Sequence, residues 1–104
     1  MQVTVTDAAE RQRYEASVDG ELAAIAEYIK TPELVVFTHT EVLGGHEGRG
    51  VASQLVRQAL DDVRRQELKV LPLCPFVAGW MQRHSDGYRD LEYRSRTTIT
   101  AATG

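Results

Sequence analysis

The stretch that decides the fold is LVVFTHTEVLGGHEGRGVASQLVRQALDDVRR, residues 34–65. Its opening run, Leu34 to Val42, is rich in β-branched side chains and predicts a strand. From Val51 onward the period changes: Val51, Ala52, Leu55, Val56, Ala59, Leu60 and Val63 recur at helical spacing, which predicts an amphipathic helix of about four turns. The outer face of that helix, with Gln54, Arg57, Asp61, Arg64 and Arg65, reads as solvated. Between strand and helix lie Gly44, Gly45, Gly48 and Gly50. A glycine-rich turn at this junction places unpaired N–H groups and the positive helix end where an anion can sit, and a pyrophosphate is a natural guest. The same glycines also suit a plain flexible turn.

Working outward, Arg13 to Ser17 and Leu22 to Ile29 flank Val18-Asp19-Gly20-Glu21, and an Asp-Gly pair between two such runs is a strong hairpin signal. Thr31-Pro32-Glu33 breaks the second run, so the strand from Leu34 completes a three-stranded antiparallel meander. Downstream, Leu68 to Cys74 reads as a short buried strand. The connecting helix makes it a parallel neighbour of the Leu34 strand. Pro72 cannot donate a ladder hydrogen bond and marks a place where pairing stops, or simply an edge strand. Pro75 fits the first position of a second helix, with Phe76, Val77, Trp80 and Met81 as its apolar face and its end near His84 to Gly87. The tail from Glu92 to Gly104 alternates weakly around Tyr93 and Ile99, and a frayed edge strand and disorder both fit it. The fold class is α/β, one domain over residues 1–104 with its core in about 11–91.

The chain of 104 residues, 42% of them hydrophobic, has room for one modest core. Twelve basic and fifteen acidic residues, for a formal charge of -3, are mixed along it and offer no stripe to neutralise a nucleic-acid backbone. No apolar run is long enough to cross a bilayer, and Met1 to Glu10 has neither a basic start nor an apolar stretch. The expectation is a cytoplasmic monomer with no nucleic-acid or membrane partner. The one cysteine, Cys74, can form no intramolecular disulfide. A metal site from His39, His46, His84 and Cys74 has no local ligand spacing to support it, so none is expected.

Two better-known glycine signatures do not match. A Walker-type loop needs Lys followed by Ser or Thr, where Val51 and Ala52 follow Gly50. The dinucleotide fingerprint opens a crossover from a first strand and ends in glycine, whereas Gly48-Arg49-Gly50-Val51-Ala52-Ser53 follows a meander and ends in serine.

Gly45-His46-Glu47-Gly48-Arg49-Gly50 resembles the acetyl-CoA loop of GCN5-related acetyltransferases, Q/R-x-x-G-x-G/A, with Gly45 in the place of the opening Gln or Arg. THTEV, GRGVASQLV, PLCPFV and RH followed by YRDL are similar, in that order, to a subgroup of minimal acetyltransferase-like proteins related to bacterial YjdJ. The resemblance runs from about Arg13 to Leu91. It implies acetyl-CoA (coenzyme A) as ligand and an acetyltransferase acting on an unknown amine acceptor. The strand ending Thr40-Glu41-Val42 would offer backbone groups to the pantetheine arm, and N–H groups of Glu47, Gly48, Arg49, Gly50, Val51 and Ala52 would hold the pyrophosphate. Relatives commonly begin the second helix with Asn-Pro and carry a catalytic tyrosine seven positions on; here Cys74-Pro75 and Met81 occupy those places.

Cys74 would then sit beside the thioester at a helix N-terminus, where the helix dipole favours thiolate. Two mechanisms follow: Cys74 carries the acetyl group covalently, or the amine attacks directly and Cys74 assists. His39 and Glu41, two residues apart on one strand, share a face, and either is a candidate base. Each of these residues also has a structural reading: Cys74 as a small buried apolar group, His39 as a strand histidine, His84 at a helix end, and His46 as a solvated loop residue. Trp80, Phe76 and Tyr88 read as core or rim. The alternative function is a non-catalytic CoA-binding or protein-interaction module, since a fold does not establish catalysis.

Overall fold

The computed structural model describes residues 2–94. Five strands follow one another across a single sheet: β1 (Val3–Ala8), β2 (Arg13–Val18), β3 (Glu21–Lys30), β4 (Leu34–Val42) and β5 (Lys69–Pro72). The first four form an antiparallel meander. Helix α1 (Val51–Arg65) then crosses over so that β5 joins β4 in parallel, and α2 (Pro75–Arg83) and a single turn, α3 (Ser85–Tyr88), follow. No helix among the described residues is long and apolar enough to cross a membrane.

The β2–β3 hairpin forms as its sequence dictates. Asp19 and Gly20 have φ of 50° and 89°, the left-handed pair that matches the twist of the flanking strands. The meander has one strand more than the three expected. In β1 the small alternation of Val3 and Val5 with Thr4 and Thr6 is enough, because β2 offers a full antiparallel edge from Val3↔Val18 to Ala8↔Arg13.

Both long helices pack on one face of the sheet. Ala16, Ala24 and Ala26 are fully buried there, and small side chains in adjacent strands let α1 lie close. Its inward residues Leu55, Val56, Ala59, Leu60 and Val63 fill the space above them, each Val or Leu contributing about 1.5–3 kcal/mol by leaving water. The outer face of α1 is not merely solvated. Arg57 lies 5.2 Å over the Trp80 ring, Asp61 accepts the Tyr88 hydroxyl at 2.8 Å, and Arg64 donates to Asp90 at 2.6 Å. The chain after β5 wraps back along α1, which sequence periodicity has no means to signal. The opposite face of the sheet, with Ile29, Val36, Glu27, His39 and Glu41, has no helix on it among the described residues.

Glu92 bridges in parallel to Val70, and the Tyr93 N–H donates to the Val70 carbonyl at 2.7 Å. The remainder of the tail, 95–104 with Ile99, lies outside the described residues.

Two tyrosines lock the far end of the core. Tyr14 donates to Asp62 at 2.6 Å and Tyr28 to Asp7 at 2.5 Å, with the two rings 5.3 Å apart. Burial first, then the carboxylate each one bonds, raises both phenols above their ordinary value. Burial alone would raise the Asp62 carboxyl, but hydrogen bonds from Tyr14, Arg65 and Gln66 together hold it low. A phenol whose folded value is raised gives stability that is complete below its unfolded value and is lost as pH climbs above it. Chemical denaturation of Tyr14→Phe should therefore show a loss of about 1 kcal/mol at neutral pH from the missing hydrogen bond. The same variant should lose less stability than the parent as pH rises above about 10, and equal alkaline slopes would refute this account.

Candidate functional site

The site begins where β4 and β5 part. Their parallel pairing runs from Leu34↔Lys69 to Phe37↔Pro72 and stops. Pro72 has no N–H to extend the ladder. The Phe37 carbonyl instead accepts from both Leu73 N, at 3.0 Å, and Cys74 N, at 2.9 Å, turning the chain into α2. On the other side of β4 the register shifts: Tyr28 faces Phe37 and Glu27 faces His39, so Thr38 is the extra residue of a bulge. Its hydroxyl donates to the Glu27 carbonyl at 3.3 Å. A bulge bends its strand and reverses the alternation of side chains. Thr40 and Val42, opposite buried Ala26 and Ala24, therefore share the helix-covered face with Phe37, and His39 and Glu41 take the open face.

Beyond Val42 the chain turns sharply toward α1. Gly45, Gly48 and Gly50 have φ of 89°, 77° and 78°. Gly50 is the N-cap of α1 and carries no side chain to cap it, and the first turn holds no acidic residue. The first N–H groups of a helix have no partner within it, so this end favours an anion. A cleft of about 380 Å³ opens here, with Val42, Gly48, Gly50 and Val51 on one side and Phe76, Trp80 and Arg83 of α2 on the other.

The structure places the residues singled out in the sequence in three groups. Val42, Glu47, Gly48, Gly50, Val51 and Ala52 wall the cleft, while Arg49 is exposed and is not among its walls. Cys74 is the N-cap of α2, only 4% exposed, and its thiol donates to Thr40 Oγ1 at 3.3 Å across the gap between the strands. His39 and Glu41 pair with each other at 3.4 Å, both side chains 54% exposed. The bulge thus sets the two base candidates and the thiol on opposite faces of β4.

Packing corrects the expectation for His46 and decides between the readings left open for Phe76 and His84. His46 is not solvated: it is 8% exposed, its Nε2 is 3.8 Å from Glu21, and its buried Nδ1 has no hydrogen-bond partner. The hairpin end and the glycine turn fold over it, which no local pattern announces. Phe76 does not join the core with Val77, Trp80 and Met81 but stays 38% exposed at the cleft. His84 is structural, since its Nδ1 lies 2.8 Å from the Trp80 carbonyl and its ring stacks on Trp80 at 3.9 Å. Trp80 is tied in turn to Ser53 of α1 by a 2.8 Å bond from its indole N–H. Ser53 and Arg83 are cleft residues that the sequence reading missed, because their relation to the glycine turn exists only once α2 packs against α1.

A family model described as GCN5-related N-acetyl-transferase matches residues 13–91. Solved structures show the same fold. A GCN5-like protein from Staphylococcus aureus aligns with a TM-score of 0.60 at 19% identity, over 93% of this chain and 92% of that one. A ribosomal-protein-alanine N-acetyltransferase from Brucella melitensis biovar Abortus aligns at 0.55 and 20% identity, over 83% of this chain and 64% of that one. A Clostridium acetobutylicum chain described as a predicted acetyltransferase with acetyl-CoA aligns at 0.50 and 11% identity, over 92% and 70%. No curated protein matches the chain in sequence.

The glycine turn yields its own test. A Cβ at position 50 would meet nothing within 4 Å, so only the left-handed backbone penalises a substitution there. Gly50→Val should cost about 1–2 kcal/mol in thermal or denaturant unfolding, and Gly50→Asn distinctly less, because asparagine tolerates that conformation. Equal losses for the two would show that the conformation is not what selects glycine.

Proposed function

The chain belongs to the GCN5-related N-acetyltransferase family, and from that membership we propose that it transfers an acetyl group from acetyl-CoA to an amine. The observation that carries this reading is the parting of β4 from β5 at Phe37, directly beside the cleft at the start of α1. An extended arm fits along the strand edge left after the bulge, from Thr40 to Val42. A diphosphate fits the amides from Glu47 to Ala52. The buried, unpartnered Nδ1 of His46 in the wall of that cleft is consistent with a polar guest.

Acetyl-CoA brings an activated thioester, and the chain's residues have to orient it and manage two protons. The thioester lies beside the Thr40–Cys74 contact, where β4 and β5 have parted. An amine reaching it from the open face meets the His39–Glu41 pair, which takes the proton lost as the N–C bond forms. As the C–S bond breaks, Cys74 supplies a proton to the departing thiolate and regains one from solvent. Direct attack is favoured over a covalent acetyl-cysteine because the thiol's partner is the Thr40 hydroxyl, while the groups able to act as a base lie across the strand. Met81, buried where relatives place a tyrosine, has no proton to give.

The opposing reading is a module that binds CoA without turnover, and it is favoured by the outer face of the sheet, which carries no helix among the described residues to wall an acceptor pocket. Binding is tested first, and turnover then separates the two. CoA at 100 times its dissociation constant should stabilise the chain by about 2.7 kcal/mol in thermal unfolding, and an absent shift would end both readings. With binding in hand, release of free CoA thiol from acetyl-CoA should depend on an added amine and fall at least tenfold in Glu41→Gln. Cys74→Ser should slow transfer without abolishing it; complete loss with intact binding would favour the covalent route, and no amine-dependent release in the parent would favour the module.

A further inference from the structure

The positive charges of this chain are mostly spent on its own surface. Arg11 and Arg13 pair with Glu15, Arg64 with Asp90 and Arg65 with Asp62, and Arg57 covers the Trp80 ring. Arg49, Arg83 and Arg89 make no ion pair or side-chain hydrogen bond among the described residues, and of the three only Arg83 walls the cleft, opposite Gly48, Gly50 and Val51. Its guanidinium lies back along α2, so that a Cβ on Gly79 would come within 3.3 Å of its Nη1. The one carboxylate in the cleft wall, Glu47, is turned to the Gly45 N–H at 3.0 Å. His46, more than nine-tenths buried in the same wall, keeps an unpartnered Nδ1.

We propose that Arg83 is a ligand-binding residue, the cationic wall opposite the glycine turn that closes on the diphosphate of the acyl donor. This rests on acetyl-CoA being the donor and adds a second, side-chain half to a site whose first half is backbone. Amides at the head of α1 supply fixed partial charges from one side. A planar guanidinium supplies paired donors from the other, and that arrangement suits phosphate oxygens better than a point charge does. Gly79 serves the same end, because its missing side chain leaves the guanidinium room against the helix.

The test is calorimetric titration of the parent chain, Arg83→Ala and Arg83→Lys with three probes: acetyl-CoA, its 3′-dephospho form, and acetyl-pantetheine, which carries no phosphate. Arg83→Ala should weaken both nucleotide probes by about tenfold or more and by the same factor, leave acetyl-pantetheine unchanged, and flatten the salt dependence; Arg83→Lys should fall between. Gly79→Ala, which fills the space beside the guanidinium on a helix that alanine favours, should fold and weaken the same two probes by a smaller factor. A loss confined to acetyl-CoA would move Arg83 to the 3′-phosphate and overturn the assignment. Unchanged affinity in Arg83→Ala, or an equal loss with acetyl-pantetheine, would also overturn it while leaving the proposed function standing. A parent chain that binds none of the probes would overturn both.

Discussion

One carbonyl oxygen organises the working end of this molecule. Phe37 O, at the last residue of β4 that pairs with β5, takes both the Leu73 and Cys74 N–H groups, and by doing so ends the parallel ladder and starts α2. Pro72 makes the ending necessary, since the strand it terminates has no further donor at that point. The bulge at Thr38 acts from the other side of the same strand, bending it away and turning Thr40 and Val42 to the helix-covered face. Two neighbouring defects in pairing, one on each edge of β4, open the sheet at one place.

That opening is useful only because α1 starts beside it. The helix is held by the alanine column of β2 and β3 below and by the chain from α2 to Asp90 along its outer side, through Ser53–Trp80, Asp61–Tyr88 and Arg64–Asp90. A helix clamped on two sides presents its first turn in a fixed position. The tyrosine–carboxylate pairs at the far end of the core complete the clamp, so the uncapped amide end faces the cleft and the polar locks sit away from it. The rigid scaffold and the anion-favouring end are two aspects of one packed helix.

The chemistry divides by face for the same reason. Alternation along a regular strand would have put His39 and Glu41 on the side of Phe37, in the core. The extra residue reverses the parity and exposes them, while Thr40 turns inward to meet Cys74. In the proposed reaction the donor side and the acceptor side of the thioester are therefore served by different groups with β4 between them, and proton removal is separated from proton delivery by the thickness of a single strand.

How much of this was written in the chain depends on the range of the interaction. Local periodicity and turn chemistry determined the hairpin at Asp19-Gly20, the strand at Leu34, the long helix, the parallel strand and the start of α2 at Pro75, because each rests on residues a few positions apart. The glycine turn between strand and helix was equally plain. Weak local signals failed where burial depends on a distant partner: β1 needed the free edge of β2, and His46 needed the hairpin to fold over it. Tertiary structure alone decided the bulge parity that separates His39 and Glu41 from Cys74, the Thr40–Cys74 contact, and the meeting of Arg83 with the glycine turn. Those are relations between elements far apart in sequence, and no spacing along one element encodes the register or the packing that brings them together.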